Sequence, residues 1–598
     1  MANKPEDVIS LVEKHEGETS SLRQRFRDDY DLYRLSEYKG EEGYEIYTSN
    51  EPMTYADKII AWIIGAELII RINNIEGPRS DREINDAKER FFIGSLRAAD
   101  ERLVLRLLTP VKDQLAFHST VRGWLAGRAL IVKRKDGTSY VDVTPFDPLH
   151  TYWGMGSDNL EWICHKTSKT ALQIETEYGI KLPPDTGIGE RGTNVYDYYD
   201  QEINTVVMDG KVLKKPTPHG CSCVPAFLNV VPTSPSIIVD EAPDESLKYY
   251  GESVYKGDRD IYETWNFVMS VMKEMVARSK KQGIKVKSSD GSKTLDEDPF
   301  RQGSEVSLEM GREDVEPMGL MEMAKETGAY LGLIGSELQR GALPHSVFGE
   351  LQFQLSGFAI NSLRQGILTQ LEPRMRAVEV AYKQIINLLN DQYATGAHQA
   401  IELSGRDNNR QYFSESISPD VIRNGGDPEI TLAAKLPQDE ASVYALAQMA
   451  REGPTPLLPD IFIRDEIMGL QNADRIDDSI KEQLGERMLP KAALWTLMAA
   501  MENRGRPQLA QFYYEELLKQ MFTGPQAAGG EQGGQTNGAN GAAGAGVAPS
   551  VLPPAVQGIP PPNPVPQAGP LLPPGAPRPG ALTPEQRLAN IGLLGPGG

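Results

Sequence analysis

Three glycines, Gly187, Gly189 and Gly192, carry the spacing G-x-G-x-x-G, which in other proteins cradles a dinucleotide pyrophosphate. That chemistry needs a strand before the glycines and a helix after them, so that the phosphates meet a helix N-terminus. Here PPDT precedes and strand-like NVYDYY follows, so the match reads as a loop. His219, Cys221 and Cys223 in HGCSC, with Cys164 beside His165 on a strand, are soft ligands that could converge on zinc. The usual C-x-x-C pairs are missing; buried thiols beside a loop are the expectation, and the sequence leaves metal binding open. There is no Walker A sequence, H-E-x-x-H or G-x-S-x-G, and the scattered histidines form no evident pair with a nucleophile. No catalytic residue, cofactor or metal site is expected, and the many carboxylates read as solvated surface.

The remaining residue types of interest are structural, and the chain is arranged around one stretch, 250–282. Val254, Ile261, Trp265, Val268, Met272 and Met275 recur at spacings of three, four and seven, an apolar stripe on a helix of about thirty residues. Gly251 and Ser253 stand at its head, and Gly283 stops it before the alternating IKVK. A stripe this narrow cannot bury itself, so the strut needs neighbours within the chain or from other copies.

Before it, helical spacing covers the first 38 residues, a helix begins near Thr54, and the run from Ile59 to Ile72 reads as core helix because it is too short to span a bilayer. A helical block covers 85–127. Two hairpins follow, turning at Asp136-Gly137 and Asp209-Gly210, with strand-like LEWICHKT and a helix near Thr170 to Tyr178 between them. Beyond the strut, residues 284–318 read as a small β insertion of IKVK and EVSLEM with five basic and nine acidic residues, which makes it acidic. A returning helix tolerates Gly328, Gly332 and Gly335, which predicts close packing or a bend. A loop leads into a long helix with Pro373 inside it, predicting a kink. Strands and turns over 398–436 and helical segments over 438–522 complete the ordered part, with Pro459, Pro490 and Pro507 near segment starts. From Gly524 onward Gly, Ala and Pro dominate and disorder is expected.

The 598 residues suffice for three or four domains, and the net charge of −21 argues against broad basic patches that grip nucleic acid. An acidic surface suits solubility, or a passage that DNA slides through without sticking. Three cysteines fit a reducing cytoplasm, and neither a signal peptide nor a membrane span is visible.

The G-x-S at Gly251 and Ser253, then Asp258 or Asp260, then Asn266, on a long helix leading into a short β insertion, resembles the stem of tailed-phage portal proteins. YTSNEPMTYADKI, VTPFDPLHTYW with WICHKT, VPAFLNV, and GALPHSVFGELQFQLSGFAINSL with Ser356-Gly357 and Ala359 are similar to other portal segments, so the resemblance covers about 40–522. It implies an α+β, portal-like fold: a mixed wing over 1–249 and 396–436, stem helices over 250–282 and 318–341, and a small β clip over 283–317. The tunnel loop and kinked tunnel helix then fall over 342–395, a helical crown over 437–523 and the disordered tail over 524–598.

It further implies a homo-oligomeric ring of about twelve subunits at one capsid vertex of a virion, assembled in the host cytoplasm, without a membrane. Double-stranded DNA passes along its axis, packaged by the terminase large subunit and later ejected. The clip meets terminase and then head-completion, adaptor or tail proteins, and the wing meets major capsid and scaffold proteins. The channel-facing residues are expected to be Leu343, Pro344, His345, Ser346, Val347, Phe348 and Gly349, with Lys280 and Lys281. Those lysines equally suit a helix C-terminus complementing its dipole. The clip contacts are expected at Glu297, Asp298, Arg301 and Glu305, although this clip is short and acidic and the crown lacks a strongly basic character. Two other classes compete: a cofactor-binding α+β enzyme using 1–249, and a structural capsid or adaptor protein without a channel.

Overall fold

The computed structural model describes residues 4–38, 45–72, 79–134, 136–181, 192–208, 210–234, 243–280, 284–288, 291, 295, 305, 307–308, 310–317, 327–342, 357–408, 411–433, 440–451, 457–468, 476–477, 479–481, 483–484, 490–503 and 507–522. The expected tail, 524–598, lies outside them. The fold mixes helices and antiparallel sheets, and among the described residues no helix is long and apolar enough to cross a membrane. Two compact units are present, Met1–Thr496 and Leu497–Gly598. In the second, the helix Pro507–Phe522 buries Ala510 and Leu517, two turns apart on one face.

The first unit holds a five-stranded meander of Thr151–Met155, Leu160–Lys169, Thr193–Asp200, Ile203–Met208 and Lys211–Pro218 in chain order. A three-stranded sheet places Trp124–Lys133 between Ser139–Phe146 and Ala226–Val230. Asp136-Gly137 and Gly210 stand between the strands expected from the two Asp-Gly pairs, and Asp209 lies outside the described residues. The long helix Gly357–Ala394, with Pro373 inside, lies against the central strand. Gln392 on that helix accepts from the Ile131 amide at 2.9 Å and donates to the Ala129 carbonyl at 2.8 Å, so strand backbone facing the helix is not left unpaired. Phe91 from the helix Arg79–Leu105 stacks on Tyr393 at 4.6 Å, in the main core with Ile131, Val143 and Leu389.

Several expectations are corrected. The run Ile59–Ile72 is not one helix: the helix Glu51–Gly65 ends, and Glu67–Ile72 is a strand pairing antiparallel with Pro428–Ala433. Alternation in ELIIRI buries Ile70, opposite the buried Ile430, and Ile72, while the buried Leu432 lies opposite Leu68 on the same face, so a pairing distant in sequence wins over local helicity. The helical block expected to reach residue 127 stops at Arg122, and the sheet begins at Trp124. In the β insertion Ile284–Lys287 pairs with Asp314–Pro317; Glu305, Ser307 and Leu308 of EVSLEM are outside any strand.

Gly123 makes that early switch to strand possible. Its φ is +73°, and an added Cβ would lie 2.0 Å from the Gly251 carbonyl oxygen, where the backbone leading to the strut crosses it. Gly123→Ala is expected to lose about 3 kcal/mol, from left-handed strain plus backbone displacement, measured by hydrogen exchange of the strand Trp124–Lys133 in the full chain.

Candidate functional site

The strut helix spans Arg259–Lys280 and is shorter than the 250–282 expected. Gly251 at φ +65° and a turn of 3-10 helix over Val254–Gly257, with the Ser253 hydroxyl accepting from the Tyr255 amide at 3.2 Å, replace its expected first turns. Val254 therefore packs from this turn into the core and is not part of the helical stripe. Ile261 and Trp265 pack against the same core, Val268 is buried within it, and Met272 and Met275 are half-buried.

The foot of the strut is held by ionic groups rather than apolar ones. Arg259 donates to both carboxylate oxygens of Asp29, at 2.8 and 3.1 Å, and to Glu252 at 3.0 Å. Arg25 approaches the same carboxylates, 3.9 Å from Asp29 and 3.8 Å from Glu252, with its side chain fully buried. It also donates to the carbonyls of Gly251 at 2.9 Å, Tyr250 at 3.2 Å and Arg122 at 3.2 Å, and to that of Lys248. Burial alone would favour a neutral Arg259; Asp29 and then Glu252 outweigh it and raise its pKa. This network clamps the N-terminal helix Ser20–Tyr33, the turn before the strut and the strut into one piece.

Two sides of the strut are covered by its own chain. The segment 45–49 runs along one side, its backbone read by strut side chains: Asn266 accepts from the Ser49 amide at 2.9 Å, Ser270 from Tyr47 at 2.9 Å and Glu274 from Glu45 at 2.9 Å, while Lys273 donates to the Ile46 carbonyl at 2.7 Å. The returning helix Thr327–Gly341 covers the other side, with Ile334 and Leu338 inward and Gly335 against the Trp265 ring. A third face stays bare. Phe267 is 55% and Val271 43% exposed, one turn apart, and the returning helix exposes Tyr330 and Leu333. An added Cβ at Gly328 or Gly332 would meet nothing, so among the described residues these two glycines do not make the close packing that was one of the two expectations for them.

At the junction of strut and returning helix sits Asp258, 1% exposed, with both carboxylate oxygens lacking a hydrogen-bond partner. Burial and then the charge of Glu51 push its pKa up to about 6. The Tyr262 hydroxyl is likewise buried and unpartnered.

The other sequence-derived positions divide. Residues 343–349, Lys281, Glu297, Asp298 and Arg301 lie outside the described residues; Lys280 closes the strut helix and Glu305 is exposed. Gly187 and Gly189 also lie outside, while Gly192, at φ +77°, leads into the strand Thr193–Asp200 and not into a helix. The His219 ring uses both nitrogens on backbone, Nε2 with the Asp200 carbonyl at 2.9 Å and Nδ1 with the Cys221 amide at 3.1 Å. Cys164 is buried in a different cluster, and burial pushes the Cys221 thiol up to about 12. Among the described residues no group of three His, Cys, Asp or Glu side chains could hold a metal ion. Sequence reasoning missed Arg25, Asp29 and Glu252; the charged types gave no signal, since such residues are expected at the surface.

No protein-family model matches the chain and no curated protein matches it. Among solved structures it is similar to a chain of the neck of an empty GTA particle computed with C6 symmetry, at 13% identity and a TM-score of 0.38, covering 74% of this chain and 94% of that one. At that distance the likeness carries neither function nor partners across.

Proposed function

We propose that the chain is a subunit of a ring-shaped, portal-type channel at a capsid vertex. In this reading double-stranded DNA is packaged through the ring by a terminase and later ejected. Head-completion, adaptor or tail proteins attach at the β insertion, and capsid and scaffold proteins meet the sheet-rich part. The observation that supports it is the strut and returning helix: clothed by their own chain on two sides, they leave Phe267, Val271, Tyr330 and Leu333 uncovered. Large apolar side chains exposed along a helix pair mark a surface meant for protein, and in a head-to-tail ring each subunit offers two unlike faces. DNA contact falls to Lys280, Lys281 and 343–349, as sequence-independent phosphate contacts. The chain carries no catalytic step and no cofactor.

Negative-stain images of the purified protein test this: rings with a central hole are expected, and a monomer by light scattering contradicts it. The dinucleotide alternative is separated by replacing Gly187 and Gly189 with alanine. Ring assembly is expected to be unchanged and no nucleotide binding to be lost; loss of a measurable nucleotide affinity would favour an enzyme instead.

A further inference from the structure

The junction where the returning helix ends against the strut holds a carboxyl group in surroundings built for a hydrogen-bond donor. Asp258 is 1% exposed and neither of its oxygens has a partner. It is pressed against the last residue of the helix Thr327–Gly341: a Cβ added at Gly341 would lie 1.8 Å from Asp258 Oδ1, and one added at Gly257 would lie 3.4 Å from the Gly341 Cα. A helix C-terminus presents carbonyl oxygens without an intrahelical partner and the negative end of its dipole; here the Leu338 carbonyl already accepts from the Ala342 amide at 2.9 Å, so a donor at Asp258 is directed at the carbonyls after it. A carboxylate can only accept hydrogen bonds and repels such an end; a protonated carboxyl carries one O–H and can donate to it.

Among the described residues no cation acts on Asp258, and although it directly precedes the strut helix, neither of its oxygens accepts from an amide of that positive end. From its own element come Tyr255 and the unpartnered Tyr262 hydroxyl. The helix Glu51–Gly65 contributes the acidic Glu51 and Tyr55, whose hydroxyl donates to Gln370 Oε1 at 3.3 Å. On the helix Gly357–Ala394, Gln370 donates onward to the Ala342 carbonyl at 3.3 Å, and Arg374 acts on Tyr55 and hydrogen-bonds the Gln370 carbonyl. Among the described residues the charge acting on Asp258 is that of Glu51, which also favours the neutral acid.

We infer that Asp258 is a proton-operated clasp: with its proton it donates to the carbonyl end of the returning helix and ties that helix to the strut, and without it the tie is released. The clasp does not depend on the ring. The direction of the titration fits the geometry. An acid whose folded pKa is raised from 3.8 to about 6 holds its proton more tightly in the folded state, so the stabilisation is complete below the unfolded value and is lost as pH rises through about 6.

Hydrogen exchange of the full chain, corrected for the intrinsic rate, tests this between about pH 5 and about pH 8. Amides of the last turns of Thr327–Gly341 are expected to lose roughly tenfold protection across that range, levelling off above about 6, while the five-stranded meander stays level. Asp258→Asn, neutral and able to donate, is expected to keep the low-pH protection at both ends. A level profile in the unsubstituted protein overturns the proposal, as does an unchanged pH dependence in Asp258→Asn. Should that variant fail to fold, Tyr262→Phe decides together with the parent: the transition must persist when only the hydroxyl is removed, and its disappearance would assign it to the tyrosine and overturn the clasp.

Discussion

Arg25→Met is expected to lower the stability of the first unit by about 3–5 kcal/mol, the cost of leaving buried charge without its partner. The side chain is fully buried between Asp29 and Glu252, and it donates to four backbone carbonyls on two chain segments. Methionine fills similar volume, so the loss is not a cavity effect. It leaves two carboxylates sharing Arg259 and removes the donor from the buried bonds to the Arg122 and Gly251 carbonyls. Hydrogen exchange of 248–262 reads the loss locally, which suits a chain too large for a single two-state transition. Lys14→Met, which breaks an exposed pair with Glu18, serves as comparison and is expected to change stability by under about 0.5 kcal/mol. Equal effects from the two would mean that the buried network adds nothing beyond surface charge.

Phe267→Asp combined with Val271→Asp is expected to abolish assembly while leaving the subunit fold intact. Both side chains are about half exposed in the single chain and lie outside its buried core, so their replacement removes little intrachain packing. In a ring each would be covered by a neighbour, at about 1.5–3 kcal/mol per side chain, and an unpaired carboxylate buried there adds several more. Repeated around a closed ring, that shifts the assembly concentration by well over a thousandfold. Sedimentation should show a monomer with an unchanged circular dichroism spectrum. Intact rings would place the subunit contact elsewhere and remove the meaning given to the bare face.

What could be read in the sequence was local. Asp136-Gly137 lies in the turn between Trp124–Lys133 and Ser139–Phe146 and Gly210 between Ile203–Met208 and Lys211–Pro218, as turn chemistry predicts, and Thr170 caps the helix Ala171–Tyr178 by accepting from the Gln173 amide. Pro459, Pro490 and Pro507 stand at helix starts. Non-local pairing was hidden: nothing near Glu67 announces that its partner strand begins at Pro428. The strut start was misplaced because apolar spacing continues through Val254, while a backbone crossing at Gly123 and Gly251 decides the conformation there. Asn266 stood out in sequence, but its task of holding the Ser49 amide depends on a segment far away in the chain. Arg25, Asp29 and Glu252 were illegible for one reason: burial of a charge is a property of the assembled fold, and residue type argues against it.

The central claim is that the strut and its returning helix complete their packing on sister copies. The mass of the particle formed by the full chain tests it most directly. About twelve copies of a 65.9 kDa subunit in one closed species are expected. A single 65.9 kDa species at concentrations well above micromolar would contradict it, because the bare helix faces would then have no sister copy to cover them.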